Sequence, residues 1–440
     1  MMEAQPAMAE YEPILLRNVG VPHSWDIDVA LAHGDYQALP KALAEFQPDQ
    51  IIDLVKNSGL RGRGGAGAPT GMKWGFVPKG KREKYLLVNG DESEPGTFSN
   101  RAILENDPHQ LIEGIVIAAY AMQVPTTIVY CRGEFALGHR RLSFALKQAY
   151  ERGYVGKNIL GSGFDTDIIL FRGAGAYICG EETALIESLE GNRPMPRPRP
   201  PFPASYGVYG MPTNVQNVET VCNVPMLISR GLEWYTSIGT APRNTGPKIY
   251  CVSGHVREPG NKELPLDTTL RDLIYKHSGG MIDDRPVKAV IPGGSSAAML
   301  NGENLDIKMD FDTLAGLGSM LGSGGVVIMN DRTCIPCAVR RIEEFYNHES
   351  CGKCTPCREG TMWMVKLLRR ITTGDADSSD IDELERVAKT IGFGPPNITL
   401  CALGDASTSC VTSGIRLFRE EFAYHAKTGQ CLVNRVLVPT

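Results

Sequence analysis

A run of three cysteines constrains this chain more than any other feature. Cys351, Cys354 and Cys357 stand in C-x2-C-x2-C spacing within ESCGKCTPCREG, residues 349–360. Three thiolates from one short loop can bind three corners of an iron–sulfur cubane, and the fourth thiolate usually comes from elsewhere in the chain. The candidates for the fourth ligand are Cys334, Cys337, Cys401, Cys410 and Cys431.

Cys401 is the preferred fourth ligand. It lies in NITLCALGDA, between the third and fourth helices predicted for the C-terminal region, where a ligand can meet the 351–357 loop at one end of a bundle. Cys410, at the predicted start of the fourth helix, is the second choice. Cys334 and Cys337 form a separate C-x2-C pair that could substitute, although we interpret the pair as structural.

Zinc is the competing interpretation of the same cysteines, with His348 or another cysteine completing four ligands. Structural zinc sites usually pair two C-x2-C-like knuckles, whereas a tight triple with one distant cysteine fits a cubane better. The sequence therefore predicts a [4Fe–4S] cluster on Cys351, Cys354, Cys357 and Cys401.

Length and composition exclude several classes of protein. The 440 residues allow two to four domains, and the net charge of −5 argues against binding nucleic acid through a basic surface. No apolar run approaches the roughly 20 residues of a membrane span. MMEAQPAMAEYEP shows neither a secretory signal nor a transit peptide, so we expect a cytoplasmic protein. Twelve cysteines are many for that compartment and favour metal or redox chemistry.

Four regions follow from the apolar patterns. Residues 1–45 are predicted to form a loosely structured arm, and residues 46–240 alternate helices and strands in the manner of an α/β domain. Residues 245–332 predict a small β-grasp-like module with strands at KIYCVSG, VKAVIPGG and GVVIMN and a capped helix at LDTTLRDLIYK. Residues 335–440 carry four amphipathic helical stretches, which predict a small bundle.

A glycine loop, GRGGAG at residues 62–67, matches G-x-G-x-x-G. A Rossmann motif should follow a strand and open a helix, whereas this loop follows a predicted helix and runs into Pro69. It is therefore either a flexible surface loop or a loop that lets backbone approach a ligand, with Arg63 and Lys73 supplying charge for phosphates.

Two acidic loops follow predicted strands. In NGDESEPGTFSNR (89–101), Asp91, Glu92 and Glu94 could accept hydrogen bonds from ribityl or ribose hydroxyls, or they form a solvated turn. In RGAGAYICGEETAL (172–185), a glycine turn precedes a predicted helix whose N-terminus favours an anion. Alternatively, Glu181 and Glu182 at its start only cap this helix. Ligands of α/β sheets bind at the carboxyl ends of strands, so these loops together predict a site there.

The motifs jointly resemble one family, the NADH-binding flavoprotein (51-kDa) subunit of respiratory complex I. The resemblance runs from about residue 15 to 428 through GLRGRGGAGAPTGMKW, NGDESEPGTF, GAGAYICGEETAL, NVETV, IPGGSS, GSMLGSGGV and ESCGKCTPCREG. It implies a Rossmann-like α/β domain that binds FMN, a β-grasp-like SLBB module and a C-terminal four-helix bundle with one [4Fe–4S] cluster.

The resemblance also implies the roles of individual residues. The implied FMN contacts are Gly62, Arg63, Gly64, Lys73, Asn89, Asp91, Glu92, Tyr177, Gly180, Glu181 and Asn217. The implied NADH contacts are Gly65, Ala66, Gly67, Phe76, Glu94, Glu182 and Phe202. Two positions depart from the family pattern: Ala68 stands where an aromatic residue is usual, and Gln216 stands where an asparagine is common.

The implied function is that of an NADH:quinone oxidoreductase subunit. A hydride passes from NADH to FMN without a side-chain acid or base, and single electrons then pass to the cluster. The implied partners are a thioredoxin-like [2Fe–2S] subunit of the 24-kDa type and a large iron–sulfur subunit of the 75-kDa type, with no nucleic acid. The chain would lie on the cytoplasmic face of the membrane only through this complex.

Two alternatives remain. The first is the diaphorase subunit of a soluble NAD-reducing hydrogenase or NAD-dependent formate dehydrogenase, although such subunits often carry additional fused domains. The second is a zinc-stabilised scaffold that binds a nucleotide without turnover, which would lack the absorption of flavin and iron–sulfur groups.

Overall fold

The computed structural model describes residues 11–80, 83–377, 379–392 and 398–433. A parallel sheet with helices comes first along the chain, a mixed sheet second, and a group of four helices last. Within these ranges no helix is long and apolar enough to cross a membrane.

The segment predicted as a loosely structured arm is folded from residue 11 onward, and residues 1–10 lie outside the described part of the chain. It forms helices α1 (Ile27–Ala32) and α2 (Ala38–Glu45), which both pack into the core of the first unit. Buried Glu113 accepts three backbone N–H groups of this segment at 2.8–3.0 Å, and Glu263 accepts three more at 2.8–2.9 Å. The prediction was wrong because these anchors lie far away in the sequence.

Four parallel strands in the order β3-β2-β1-β4 form the sheet of the first unit. The strands are β1 (Tyr85–Gly90), β2 (Thr126–Cys131), β3 (Asp167–Arg172) and β4 (Thr213–Asn217). The further helices of this unit are α3 (Pro48–Asn57), α4 (Thr70–Gly75), α5 (Ser99–Asn106), α6 (Pro108–Met122), α7 (Ala136–Glu151), α8 (Glu182–Leu189), α9 (Val218–Arg230) and α10 (Leu232–Thr236). The predicted α/β alternation is confirmed, and β4 is an additional strand.

The strand order reverses between β1 and β4. Strands β2 and β3 lie on one side of β1, and β4 lies on the other side. Asn89 of β1 pairs in register with Asn217 of β4, so the carboxyl ends of the two strands lie side by side. Ligands of open parallel sheets bind at such a reversal, and this edge is therefore the expected position of a binding cleft.

The second unit contains a five-stranded mixed sheet in the order β10-β9-β11-β7-β8, in which β11 and β7 are parallel. Its elements, with a small preceding pair of strands, are β5 (Gly239–Thr240), β6 (Asn244–Thr245), β7 (Pro247–Gly254), β8 (Gly260–Pro265), α11 (Leu270–Tyr275), β9 (Val287–Ile291), β10 (Leu300–Asn301), α12 (Phe311–Gly316) and β11 (Gly325–Asn330). The three predicted strands are β7, β9 and β11. The predicted helix is α11, which Thr269 caps by accepting the N–H of Asp272 at 3.0 Å.

A buried ion pair joins the first two units. Lys248 of β7 donates to Glu219 of α9 at 2.5 Å, and both side chains are wholly inaccessible to solvent. The second oxygen of Glu219 accepts the N–H of Ile249 at 2.9 Å. The pair therefore fixes the second sheet against the helix that starts at the strand reversal.

The third unit consists of α13 (Ile335–Glu349), α14 (Thr355–Thr373), α15 (Ser379–Ile391) and α16 (Ala402–Thr428), which pack against one another. The predicted apolar stripes are confirmed, since residues such as Val339, Leu368, Leu384 and Ile415 are buried together in one core.

Candidate functional site

Two asparagines at the strand reversal define one candidate cleft. The side-chain amide of Asn89 donates to the carbonyl of Gly180 at 2.9 Å, and its oxygen accepts the N–H of Asp91 at 3.0 Å. Asn217 caps α9, because its side-chain oxygen accepts the N–H of Thr220 at 3.3 Å. The N-terminus of a helix favours negative charge, so this edge of the sheet suits an anionic group.

The glycine loop of residues 62–67 lies against these asparagines. It connects α3 to α4, which confirms that it does not follow a strand as a Rossmann loop would. A Cβ atom on Gly64 would lie 2.9 Å from Cβ of Asn217, and one on Gly67, whose φ is +64°, would lie 2.6 Å from the ring of Phe311. Glycine at these positions therefore lets the loop backbone approach the end of β4 at Gly64 and the start of α12 at Gly67.

Asp91 follows β1 and carries an unused hydrogen-bonding atom. The residue is 7% exposed, and its Oδ1 has no partner, while Oδ2 accepts the hydroxyl of Ser93 at 3.3 Å. Burial raises the pKa of Asp91 to about 7, although the nearby charge of Arg132 opposes this effect. A buried oxygen without a partner is costly, so the geometry suits a ligand hydroxyl that would satisfy it.

Charged side chains surround the turn that follows Gly180. Lys73 of α4 donates to the carbonyl of Val215 at 2.8 Å and lies 3.9 Å from Glu182, and burial lowers the pKa of Lys73. Glu181 caps α8, so the alternative interpretation of this glutamate as a helix cap is also correct. Arg199 contacts Glu181 at 3.2 Å and Glu182 at 2.8 Å. The cleft therefore has cations and carboxylates in close alternation.

Glu94 and Tyr177 connect the cleft to the other two units. Glu94 accepts the hydroxyl of Tyr177 at 2.6 Å and the N–H of Ser296, in the second unit, at 2.7 Å. The backbone N–H of Tyr177 donates to Glu349, at the end of α13, at 3.0 Å. Hydrogen bonds within the protein therefore fix the carboxylate of Glu94. A ligand would contact Glu94 in addition to these hydrogen bonds.

The four predicted cluster ligands lie around one pocket. Cys351, Cys354, Cys357 and Cys401 line one small pocket, together with Ile178. Cys354 and Cys401 are the N-cap residues of α14 and α16, and helix N-termini stabilise negative charge. Burial raises the pKa of Cys357 to about 11 and of Cys401 to about 12, so a metal would have to displace the thiol protons.

The other candidate cysteines do not line this pocket. Cys410 lies within α16, wholly buried, and its thiol donates to the carbonyl of Ser295 at 3.1 Å. Cys334, Cys337 and Cys431 form a separate group at the start of α13 and the end of α16. The pocket thus combines the three-cysteine run with the preferred fourth cysteine.

A single 3₁₀ turn, Tyr177–Gly180, contacts both the strand-end cleft and the four-cysteine pocket. Its last residue, Gly180, accepts the amide of Asn89 in the cleft, and Ile178 lines the four-cysteine pocket. A 3₁₀ helix rises about 2 Å per residue, so the two positions are about 4 Å apart along the turn. The cleft and the pocket are therefore immediate neighbours.

Known families match the chain in the same order as its three units. Residues 55–226 match the Nuo51 FMN-binding domain, residues 248–329 match the SLBB domain, and residues 334–425 match the NADH-ubiquinone oxidoreductase-F iron-sulfur binding region. The chain is 53% identical over 422 residues to the F-subunit 2 of NADH-quinone oxidoreductase in Rhizobium meliloti, covering 96% of this chain and 99% of the relative.

The chain belongs to the family of NADH-quinone oxidoreductase F-subunits. A second relative, the F-subunit of NADH-quinone oxidoreductase in Mycobacterium tuberculosis, is 47% identical over 95% of this chain and 94% of its own length. Among solved structures, an NAD+-reducing [NiFe]-hydrogenase in the H2-reduced state has a TM-score of 0.81 at 32% identity, covering 95% of this chain and 67% of the hydrogenase chain. The same type of hydrogenase in the air-oxidized state has a TM-score of 0.78.

Two residues that the family resemblance assigned to FMN have other partners in this chain. Arg63 is 1% exposed and donates to the carbonyl of Thr245, while its backbone N–H donates to Thr220. Glu92 caps α5 by accepting the N–H groups of Asn100 and Arg101 at 2.8 and 2.9 Å. Both side chains thus have partners within the protein, while Nε and Nη1 of the buried Arg63 guanidinium have none, and the contact of these two residues with FMN stays a prediction.

The aromatic residues assigned to NADH lie on the surface. Phe76 is 63% exposed and Phe202 is 56% exposed, so both rings are free to stack on a ligand. Gly65 and Ala66 of the glycine loop are likewise accessible, whereas Gly67 is buried.

The two departures from the family pattern differ in their surroundings. Ala68 is exposed, and its carbonyl accepts the N–H of half-buried Gly62 at 2.9 Å. Gln216 is 4% exposed, and its amide donates to Asn214 at 2.6 Å, which directs the side chain into the protein.

Sequence reasoning missed Arg199. The residue stands within RPMPRPRPPFPAS, a stretch interpreted only as an extended segment, yet it pairs with both glutamates at the start of α8. The sequence offered no signal that singles it out, because the same stretch also holds Arg193 and Arg197, and Arg197 pairs with two other acids, Glu187 and Glu190.

Proposed function

We propose that this chain is the NADH-oxidising flavoprotein subunit of an NADH-quinone oxidoreductase. The observation that carries the proposal is the 3₁₀ turn that contacts the strand-end cleft at Gly180 and the four-cysteine pocket at Ile178. A cofactor that accepts electron pairs and a cluster that carries single electrons must lie close together to exchange electrons. This turn lines both proposed sites.

The residues of the cleft fit FMN. The unpaired Oδ1 of Asp91 would bond a ribityl hydroxyl, and the exposed backbone of Gly64, which packs closely against Asn217 at the end of β4, would contact the flat ring. Lys73 would balance the phosphate charge. When bound, FMN supplies the chemistry, because it accepts a hydride from NADH and releases electrons singly; the protein supplies position and electrostatics.

The open face of the glycine loop is the proposed place for NADH. Its accessible backbone would face the nicotinamide, and two exposed aromatic rings would hold the adenine. A carboxylate near the adenosine ribose repels a 2′-phosphate and so favours NADH over NADPH. The proposed contacts are Gly65, Ala66, Gly67, Phe76 and Phe202, with the carboxylates of Glu94 and Glu182 close to the nucleotide.

Cys351, Cys354, Cys357 and Cys401 are the proposed ligands of the [4Fe–4S] cluster. Their shared pocket and the two helix N-termini that face it would accommodate a negatively charged cluster. Electrons would leave this cluster for a thioredoxin-like [2Fe–2S] subunit and a large iron–sulfur subunit. In that complex the chain would be peripheral, on the cytoplasmic face of the membrane.

The proposed domains follow the functional parts. An FMN- and NADH-binding domain spans residues 46–240, a β-grasp-like module spans 245–332, and a four-helix bundle that binds the cluster spans 335–440. Residues 1–45 precede the first domain, and their helices α1 and α2 belong to its core.

The decisive experiment measures iron, flavin and activity in matched cysteine variants. Cys401→Ala is expected to lose the cluster, seen as loss of iron and of its EPR signal, and to keep FMN and NADH:ferricyanide activity. Cys410→Ala is the matched control, since it removes a cysteine of the same helix that lies outside the pocket. Loss of the cluster from Cys410→Ala but not from Cys401→Ala would refute the ligand set.

A diaphorase role is the second candidate, because the solved structures that resemble this chain at TM-scores of 0.81 and 0.78 are those of an NAD+-reducing hydrogenase. Affinity purification of the tagged chain from its own cells separates the two. Co-purification with quinone-reducing membrane subunits supports the respiratory role, whereas co-purification with hydrogenase subunits and H2-dependent NAD+ reduction supports the diaphorase role.

A further inference from the structure

A second group of metal-binding side chains lies away from the proposed electron path. It consists of Cys334, Cys337, His425 and Cys431, whose ligand atoms all lie within 4.8 Å of one another. His425 and Cys431 are buried, and the two other cysteines are half-buried. The proposed function uses none of these four residues.

The distances suit one ion better than a cluster. Sγ of Cys334 lies 3.0 Å from Nε2 of His425, and Sγ of Cys337 lies 3.9 Å from the same nitrogen. Ligand atoms of one tetrahedral zinc lie roughly 3.5–3.8 Å apart, because Zn–S is about 2.3 Å and Zn–N about 2.0–2.1 Å. Cysteines of a cubane bind separate iron atoms and need more room than this group provides.

The fold brings the four ligands together from distant parts of the chain. Cys334 is the residue before α13 and Cys337 lies in its first turn, so they form a C-x2-C knuckle. His425 lies in the last turn of α16, and Gly429, with a φ of +66°, ends that helix and turns the chain toward Cys431. Because α13 has 15 residues, this group and the 351–357 run are separated by about 22 Å of helix.

An ion pair lies beside the four ligands. Lys288 donates to the carbonyl of Thr333, next to Cys334, at 2.6 Å and pairs with Glu421 of α16. Glu421 also accepts the N–H of Ile335 at 3.1 Å, so this pair adds no net charge to the site. The N-terminus of α13 carries partial positive charge, which favours thiolates at its first residues. His425 is 2% exposed, and its Nε2 is the ring nitrogen that faces the thiols. Its other ring nitrogen, Nδ1, has no hydrogen-bond partner.

We propose that Cys334, Cys337, His425 and Cys431 bind one Zn²⁺ ion that joins the start of α13 to the segment following α16. Three thiolates and one imidazole fill all four tetrahedral positions, and such a closed site is structural. The ion would therefore stabilise the far end of the helical unit and take no part in electron transfer.

The test is the metal content of the full-length chain purified with its cofactors. Elemental analysis is expected to find about one zinc per chain in addition to the cluster iron, and zinc-edge X-ray absorption to find three sulfur ligands and one nitrogen. Cys334→Ser and Cys431→Ser are expected to lose the zinc while iron, flavin and NADH:ferricyanide activity stay unchanged.

Two controls define the outcome. Cys431→His is expected to retain zinc, because two cysteines and two histidines also form a zinc site, and Cys222→Ala, which removes a buried cysteine of the first unit, should change nothing. Absence of zinc from the wild-type chain, a disulfide between Cys334 and Cys337, or iron at this site would each overturn the proposal. The zinc-edge spectrum of the wild-type chain decides the matter even if a variant does not fold.

Discussion

Replacing Asp91 by asparagine should stabilise the folded chain and weaken its binding of FMN. Asp91 is 7% exposed, and burial raises its pKa from 3.8 to about 7. The folded state therefore keeps the proton up to about pH 7, whereas the unfolded state releases it near pH 3.8. Ionisation consequently destabilises the folded chain as the pH rises through this window.

The size of the effect follows from the two pKa values. One pKa unit corresponds to about 1.36 kcal/mol, so the buried carboxylate of Asp91 costs about 4 kcal/mol at pH 8. The asparagine removes this cost but leaves an amide N–H without an acceptor at the position of Oδ1, which costs about 1 kcal/mol. The net gain is about 3 kcal/mol at pH 8, and about 2–3 kcal/mol of it should develop between pH 5 and pH 8.

Thermal unfolding of the full chain without added FMN, followed at pH 5 and pH 8, measures this difference. For a unit of about 200 residues, 3 kcal/mol corresponds to a rise in Tm of roughly 6–12 °C at pH 8, with a much smaller rise at pH 5. FMN retained on gel filtration should fall in the same variant. An equal gain at both pH values would refute the buried ionisation, and undiminished FMN binding would refute the role of Asp91 as a ligand.

Three further predictions concern the cleft and its support. Gly64→Ala should lose FMN, because the added Cβ would lie 2.9 Å from Asn217 at the end of β4. Gly316→Ala, in α12, adds a Cβ with nothing within 4 Å and should retain FMN; bound flavin is measured by absorbance. Glu182→Gln should raise kcat/KM for NADPH relative to NADH by about tenfold, since it removes a carboxylate that repels the 2′-phosphate; unchanged selectivity would contradict its placement beside the ribose. Lys248→Met should lower stability by about 3–5 kcal/mol by leaving Glu219 buried and unpaired. Adding Glu219→Gln should restore most of that loss, and simple additivity in urea unfolding would contradict the coupling.

The sequence predicts those elements of the fold whose apolar pattern is local. Strands β1, β2 and β3 and the four C-terminal helices have such patterns, and each lies where the pattern indicates. Strand β4, TNVQN, offers one valine among polar residues and becomes a strand through its parallel pairing with β1. The N-terminal segment is held by two distant buried carboxylates that no local pattern shows: Glu113 accepts N–H groups at the start of α2, and Glu263 accepts those of residues 14–16.

The same distinction applies to the site residues. Residue types and motif order indicated the cleft, but not which acids would remain free: Glu92 caps α5, whereas Asp91, its neighbour, keeps an unpaired oxygen. The C-x2-C pair at Cys334 was visible in the sequence. Its partners His425 and Cys431 were not connected to it, because about 90 residues separate them and only the antiparallel packing of α13 and α16 brings them together.

The turn around Tyr177 joins the first unit to the helical unit. Its hydroxyl is fixed by Glu94, its N–H by Glu349 of the helical unit, and Gly180 by Asn89 of the first sheet. Because the turn is bonded to both units, a shift of the helical unit relative to the first sheet would break at least one of these hydrogen bonds. The turn would therefore hold the proposed flavin and cluster sites at a fixed separation, and the ion proposed at the far end of the bundle would stabilise the helical unit without changing that separation.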